Sequence, residues 1–186
     1  MSEPISDQAL LAAVAQGDES ALKQLHDRHA AALFRFVDRL LDDRGAAEDV
    51  VVETFFDVWR LAGSFQSRSS VRTWIFGIAR HKALDQLRAR GRLPEPVEEE
   101  SAEEVPDPAA TPFERLLAQQ SAERLSDCVD ALSEPLREAF WLHVVDGLKL
   151  RELAELLSIP ENTAATRVHH AKRRLRECLE RSGVDR

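Results

Sequence analysis

Apolar residues in the first ninety positions recur every three or four residues, which is the spacing of amphipathic helices. One such stripe consists of Leu22, Leu25, His29, Leu33, Phe36 and Leu40. No segment shows the two-residue alternation of a half-buried strand. The pattern predicts a polar loop at 63–69 and helices at 6–16, 18–41, 46–62 and 70–90.

The last third of the chain continues the helical spacing around two proline signals. Thr111-Pro112 marks a helix start, because the hydroxyl can cap the first turn and proline fits the first helical position. Pro160 marks an interruption, because proline cannot continue a helix. Helices are predicted at 111–132, 133–147, 150–157 and 162–181, the last capped by Asn162.

Residues 93–112 separate the two helical regions and differ from both in composition. They contain seven acidic residues, five prolines and no basic residue. Such a stretch has almost nothing apolar to bury, so a disordered acidic linker is expected. We therefore predict an all-α protein of two small helical domains, at 1–93 and 112–186, joined by a flexible linker at 94–111.

The distribution of charge is more informative than the net charge of −8, which by itself argues against a nucleic-acid binder. Without the acidic linker the rest of the chain is close to neutral. Residues 68–92 have seven basic side chains and one acidic one, and residues 162–186 have seven basic and three acidic. Two basic blocks indicate an anionic partner, because the local field decides what docks.

The last two predicted helices have the spacing of a helix-turn-helix. In the final helix Ala164, Val168, Ala171 and Leu175 fall on one face, which leaves hydroxyl and basic groups on the other. Arginine can read guanine edges in the major groove, and threonine can contact phosphates or thymine methyls. The alternative is an ordinary helical hairpin with a solvated charged face. The candidate duplex contacts are Arg151, Asn162, Thr163, Ala165, Thr166, Arg167, His169, His170, Arg173 and Arg174.

The helix predicted at 70–90 combines a basic face with a preceding polar loop that contains one aromatic residue. Such a surface suits unpaired bases, which are held by stacking, by hydrogen bonds to their edges and by phosphate charge. The alternative is that the arginines form a solvated face, and we expect Trp74 in the core. The candidate single-strand contacts are Phe65, Arg68, Ser69, Arg72, Thr73, Arg80, His81, Lys82 and Arg88.

The helix predicted at 46–62 has two faces of different character. One collects Val51, Phe55, Val58 and Ala62, which we assign to the core. The other mixes acidic and apolar side chains, which is unusual for a solvated surface and favours protein docking. The alternative is a wider core stripe. The candidate docking residues are Asp49, Val52, Glu53, Phe56 and Arg60.

These three segments, in this order, resemble the extracytoplasmic-function (ECF) sigma factors of bacterial RNA polymerase over residues 8–179. The family's polymerase-binding helix is similar to 46–59, AAEDVVVETFFDVW. Its −10 element helix is similar to 70–88, SVRTWIFGIARHKALDQLR, and its −35 recognition helix is similar to 159–177, IPENTAATRVHHAKRRLRE.

The resemblance implies an alternative sigma factor, with no enzymatic activity, that binds core RNA polymerase at the clamp coiled coil of its largest catalytic subunit. It implies promoter DNA as the second partner, with the −35 element read as duplex. The −10 element is then melted, and a flipped base is captured by the loop at 63–69 and the helix after it. An anti-sigma factor is implied as a third partner.

The chain departs from the residues that are frequent in the family at several of these positions. Val52 replaces a glutamine and His81 an asparagine. In the last helix Asn162, Ala165 and His170 replace glycine, lysine and arginine. The loss of two cations there should weaken phosphate attraction unless His170 is protonated.

Two other function classes compete with this interpretation. A helix-turn-helix regulator acting on duplex DNA without polymerase would explain the C-terminal half, but would leave 49–60 and 70–92 without a role. An enzyme or metalloprotein is disfavoured, because the chain has no phosphate-binding glycine loop and no CxxC or HExxH pattern. We expect no cofactor and no metal.

The remaining expectations concern location and cysteine chemistry. No apolar run approaches 18 residues and no secretory signal precedes the first helix, so we expect a cytoplasmic protein without membrane insertion. The chain has two cysteines. Cys128 shares a stripe with Leu125, Val129 and Leu132, which favours a buried reduced thiol over a redox pair with Cys178.

Overall fold

The computed structural model of the protein describes residues 5–91 and 122–181. Within these ranges every regular element is helical, so the predicted all-α class is confirmed. The chain divides into two compact units, at 1–93 and 94–186. The predicted linker at 94–111 and the start of the helix predicted at 111–132 lie outside the described residues. No helix in the described ranges is both long enough and apolar enough to cross a membrane.

The first unit is a bundle of helices joined by short connections. Each helix begins at a side chain that accepts a backbone N–H of the first turn, the usual role of serine and aspartate at this position. A 3₁₀ turn, Ala62–Ser64, follows the third helix. The helices are α1 (Asp7–Val14), α2 (Glu19–Leu41), α3 (Arg44–Leu61) and α4 (Val71–Ala89).

The core of this unit lies where α2, α3 and α4 pack together. Phe36 of α2 and Phe76 of α4 are both buried, with ring centroids 5.4 Å apart. The face of α3 that was assigned to the core is buried as predicted, at Val51, Phe55 and Val58. Burial of these large side chains is the main term that stabilises the bundle.

The first helix is held against α2 by a polar cluster around Asp7. His29 is buried, and its Nε2 lies 2.7 Å from one carboxylate oxygen of Asp7. Arg28 donates to the other oxygen at 2.8 Å and to the carbonyl of Ile5 at 2.7 Å. His29 therefore has a structural role in the helix pair that the apolar stripe predicted.

The second unit contains α5 (Ala122–Asp130), α6 (Glu134–Phe140), α7 (Leu150–Leu157) and α8 (Glu161–Arg181). The helix predicted at 133–147 is not uniform, because a π-helical turn, Trp141–Val145, follows α6. The N–H of Asp146 donates to the carbonyl of Trp141 at 2.9 Å, which is the five-residue spacing of a π-turn.

The turn between α7 and α8 is closed by Ser158, which adopts the left-handed conformation (φ 56°). The N–H of Ile159 then donates to the carbonyl of Ala154 at 3.1 Å, as in a Schellman motif. The prediction that Asn162 caps α8 is wrong. The carbonyl of Pro160 already accepts the N–H of Ala164, so the helix begins at Glu161 and Asn162 lies in its first turn.

The prediction of a reduced thiol at Cys128 is also wrong, because Cys128 and Cys178 form a disulfide. They are 50 residues apart in sequence, but α5 packs against α8 and brings their Cα atoms to 5.8 Å, within the range a disulfide requires. Cys128 is buried as expected, in a cluster that includes Phe140, Leu175 and Leu179.

Candidate nucleic-acid interface

The final helix presents a basic face on the outside of the second unit. Its inner side is buried at Ala164, Val168, Ala171 and Leu175, as the spacing predicted. Most of the candidate duplex contacts remain exposed or half-buried on the rest of the helix, and Arg151 is exposed on α7. These accessible residues are Arg151, Asn162, Thr163, Ala165, Arg167, His169, His170, Arg173 and Arg174.

Thr166 does not belong to this face. It is buried, and its hydroxyl donates to the carbonyl of Asn162 at 2.9 Å, a back-bond within the helix. The helical spacing predicted an outward position for Thr166. However, α8 packs against α5, α6 and α7, so more than one side of this helix is covered. The hydroxyl of Thr166 is therefore turned into the protein, and its contact with DNA stays a prediction.

Two adjacent histidines, His169 and His170, lie on this face. Their ring centroids are 6.0 Å apart. Burial lowers the pKa of His169, and the neighbouring His170, Arg173, Arg176 and Lys172 lower it further. His169 is therefore neutral at pH 7 in the free protein, because its pKa lies below the ordinary value for histidine.

Two of the basic candidate contacts, one on α8 and one on α7, form long ion pairs within their own helices. Arg173 Nε lies 4.0 Å from Glu177, and Arg151 Nε lies 3.7 Å from Glu155 on α7. Exposed pairs at such distances contribute little and are screened by salt. An approaching phosphate could therefore replace the carboxylate at small cost.

The loop before α4 brings two aromatic rings together. Phe65 and Trp74 are both half-buried, and their ring centroids are 5.2 Å apart. Trp74 was expected in the core, so its partial exposure is a correction. The sequence contained a signal for this partial exposure. Trp74 lies one turn into a helix that follows a polar loop, where its ring can pack against the loop. In the same loop Arg68 is exposed and Ser69 is half-buried.

Thr73 is a second candidate contact whose hydroxyl is engaged within the protein. It is buried, and its hydroxyl lies 2.8 Å from the hydroxyl of Ser70. The Ser70 hydroxyl also accepts the N–H of Thr73 at 3.1 Å. Thr73 therefore completes the cap of α4, a role that is decided by the first turn of the helix.

The basic side chains along α4 point in more than one direction. His81 is exposed, with Nδ1 3.1 Å from Asp85, and Arg88 donates to the same carboxylate at 2.5 Å. Arg72 lies over the ring of Phe76, 5.3 Å from its centroid. Lys82 is directed toward α3, where it pairs with Asp57 and Glu53.

The outer face of α3 carries two exposed apolar side chains. Val52 is 71% exposed and Phe56 65% exposed, and Asp49, Glu53 and Arg60 are exposed beside them. This exposure excludes the wider core stripe as an explanation of the pattern. An aromatic and an aliphatic side chain among charges are the composition of a docking surface.

The histidines, cysteines and carboxylates do not assemble into a metal site in the part of the chain that the structure describes. Within 5–91 and 122–181, no group of three or more of these residues could hold a metal ion. His143, for example, is engaged by its own unit, with Nδ1 2.7 Å from the carbonyl of Leu148.

Comparison with known families agrees with the division into two units. The chain matches Sigma-70 region 2 over residues 25–93 and Sigma-70 region 4 over residues 122–175. Together these matches define the class, a sigma factor of bacterial RNA polymerase. The basic face on α4 and the outer face of α3 lie in the first matched region, and the helix-turn-helix lies in the second.

Curated relatives identify the group within that class. An ECF RNA polymerase sigma-E factor of Haemophilus influenzae is 32% identical, with 92% of this chain and 94% of the relative covered. An ECF sigma factor SigK of a Mycobacterium species is 29% identical over 91% of this chain and 89% of the relative. The chain belongs to the ECF sigma factors, and is thus an alternative sigma factor that directs transcription initiation with core RNA polymerase at promoter DNA, and not an enzyme.

Solved structures share the fold. The sigma factor RpoE of Bartonella quintana, in complex with the anti-sigma factor NepR, has a TM-score of 0.62 and 29% identity, covering 88% of this chain and 98% of that one. CnrH, in complex with the cytosolic domain of CnrY, has a TM-score of 0.67 at 23% identity, over 95% of this chain and 99% of that one.

Proposed function

We propose that this sigma factor divides promoter recognition among three surfaces, with polymerase docking on α3, −10 recognition on α4 and its loop, and −35 recognition on α8. The observation that carries the proposal is the exposure of Val52 and Phe56 next to a basic helix in the same unit. A regulator that only bound duplex DNA would have no use for that apolar surface. The proposed polymerase contacts are Asp49, Val52, Glu53, Phe56 and Arg60.

The proposed −10 surface reads one strand of melted DNA. The half-buried ring of Phe65 provides a face for stacking, and the exposed cations of the loop and helix attract phosphates. His81 offers a ring at the exposed side of α4 where the family often has asparagine. The proposed contacts are Phe65, Arg68, Ser69, Arg72, Arg80, His81 and Arg88.

The proposed −35 surface places the first turns of α8 in the major groove. Arg167 is suited to read a guanine edge, because its fork can donate two hydrogen bonds to O6 and N7. Other cations along the helix hold the phosphates and set its register. The proposed contacts are Arg151, Asn162, Thr163, Ala165, Arg167, His169, His170, Arg173 and Arg174.

Three further parts of the proposal follow from the relatives and from the composition. Domain boundaries at 1–93 and 112–186, with an acidic linker at 94–111, separate the two DNA-reading units. The RpoE relative is bound to an anti-sigma factor, and we propose that this protein has one as well. Its place of action is the cytoplasm, where polymerase and promoters are found.

Reconstitution with core RNA polymerase tests the proposal. Polymerase with this protein should start transcripts at selected promoters and at none of their scrambled versions, while the protein alone should bind duplex weakly. Tight, specific binding to duplex without polymerase, and no promoter-specific transcripts with it, would favour a helix-turn-helix regulator instead. Selecting the sequences bound by the holoenzyme would also identify both promoter elements.

Arg167→Ala should weaken holoenzyme binding chiefly at the −35 element. We expect a loss of about 1–3 kcal/mol in binding free energy on the cognate promoter, because a bidentate base contact is removed. Titration of cognate and scrambled −35 duplexes gives the comparison, and Arg181→Ala at the far end of α8 is the matched control. Equal losses on both duplexes would make Arg167 a phosphate contact.

A further inference from the structure

Lys82 was predicted to contact DNA, but its ammonium lies between two carboxylates of another helix. Its Nζ is 2.8 Å from Oδ2 of Asp57 and 3.3 Å from Oε2 of Glu53, both on α3. We propose that Lys82 is a positioning residue, which fixes the DNA-reading helix α4 against the polymerase-docking helix α3. This inference rests on the proposed function of the two helices.

Burial distinguishes this ion pair from those on the surface. The side chains of Lys82 and Asp57 are 23% and 14% exposed, whereas those of Lys23 and Asp27, a pair within α2, are 75% and 56% exposed. Partial burial reduces screening by solvent and limits the alternative positions of the ammonium. The pair can therefore hold two helices in register, which an exposed pair within one helix cannot do.

The pair is part of a chain of charges that reaches the docking face. Arg60 donates to Oδ1 of Asp57 at 2.8 Å. Lys82 donates to Oδ2 of the same carboxylate and to one oxygen of Glu53. Glu53 and Arg60 both belong to the proposed polymerase contacts. A partner that engages Arg60 therefore acts on the anchor of α4 through Asp57, and one that engages Glu53 acts on Lys82 directly.

Both members of the pair carry their charge at neutral pH. The hydrogen bond from Lys82 lowers the pKa of Asp57, against the effect of burial. The hydrogen bond to Asp57 in turn raises the pKa of Lys82, and Glu53 raises it further. Two of the three N–H donors of the ammonium are thus directed to carboxylates of α3, which hold Lys82 toward that helix.

A charge swap in the full chain tests the assignment. With core polymerase, Lys82→Asp and Asp57→Lys should each lower open-complex formation on the order of tenfold, and the double variant should recover part of it, because the attraction between positions 57 and 82 is restored with reversed sign. Recovery is incomplete, because Glu53 and Arg60 then each face a like charge. Lys23→Met, which removes a lysine from the exposed pair in α2, should change nothing. Lys82→Arg should retain activity.

A direct phosphate contact would give a different set of results. Lys82→Asp would stay defective in the swap, Asp57→Lys would be close to neutral, and the slope of log K against log salt would fall by about one. That pattern would overturn the proposal. If the reversed charges prevent folding, a cycle with Lys82→Met and Asp57→Asn provides the same comparison with milder changes.

The two levels of the proposal can fail separately. Urea unfolding of the free protein measures the coupling between Lys82 and Asp57 without polymerase or DNA. If wild-type protein directs no promoter-specific transcription, the proposed function fails whatever the cycle gives. If it does direct transcription but the cycle shows no coupling in unfolding or in open-complex formation, the positioning role is wrong.

Discussion

Replacement of Phe56 by serine should weaken binding to core RNA polymerase by on the order of 30-fold or more, with no loss of fold. Aromatic side chains at the centre of an interface commonly contribute about 2 kcal/mol or more when truncated. Phe56 is 65% exposed in the free protein, so little of its surface is buried on folding. Its removal should therefore change the free energy of unfolding by no more than about 0.5 kcal/mol.

Phe55 provides a matched control one residue earlier. Its ring is buried and lies 4.8 Å from the ring of His26. Phe55→Ala should cost about 3–5 kcal/mol of stability, because it leaves a cavity in the core. Competition between each variant and a labelled wild-type protein for core polymerase, together with urea unfolding, separates the two effects. Undiminished affinity of Phe56→Ser would remove polymerase docking from this face of α3.

Val52 should behave like Phe56, with a smaller effect. The family often has glutamine at this position, so the proposed polymerase contact would be apolar here rather than hydrogen-bonded. Val52→Ser should therefore weaken polymerase binding without changing stability, because Val52 is 71% exposed. The affinity of Val52→Gln for core polymerase would show whether the polymerase surface opposite this side chain favours an apolar contact.

The two faces of α3 could be predicted because, in an amphipathic helix, the spacing of apolar and polar residues indicates which side is buried. The side that was assigned to the core is buried, and the side that mixed acids with Val52 and Phe56 is exposed. The same local logic gave the inner face of α8 and the bounds of α7. For the faces of α3 and α8 a helical period of 3.6 residues was sufficient, and the end of α7 followed from the proline at position 160.

Polar side chains were harder to predict, because helical spacing does not identify their hydrogen-bond partners, whether local or on another helix. Thr73 and Thr166 are buried, and their hydroxyls bond to Ser70 at the helix cap and to the carbonyl of Asn162 one turn earlier. The partner of Lys82, Glu53, is 29 residues away on another helix. A count of basic residues on one helical face cannot tell an ammonium that reaches solvent from one that is held by a neighbouring helix.

The disulfide is the clearest case of information that spacing does not carry. Cys128 lies in an apolar stripe, which by itself indicates only burial, and Cys178 is 50 residues later. Their pairing follows from the way α5 packs against α8. Disulfides are uncommon in cytoplasmic proteins, so the cytoplasmic location expected from the sequence also pointed away from it.

Reduction of the disulfide should lower the free energy of unfolding of the second unit by about 2–4 kcal/mol, the second large effect that we expect. The bridge closes a loop of 50 residues, and its removal returns that chain entropy to the unfolded state. Trp141 packs against the same core cluster. Its fluorescence in urea, with Trp59 and Trp74 replaced by phenylalanine, reports this unit with and without dithiothreitol.

The double variant Cys128→Ser, Cys178→Ser should be as unstable as the reduced protein, and dithiothreitol should not affect it further. Because the bridge joins α5 to the last turns of α8, amide exchange after reduction should increase most near Cys178 and least near Arg167. The −35 face would then remain formed in the reduced protein while the unit as a whole opened more often. Two reactive thiols in protein never exposed to reductant, or identical unfolding with and without dithiothreitol, would contradict this.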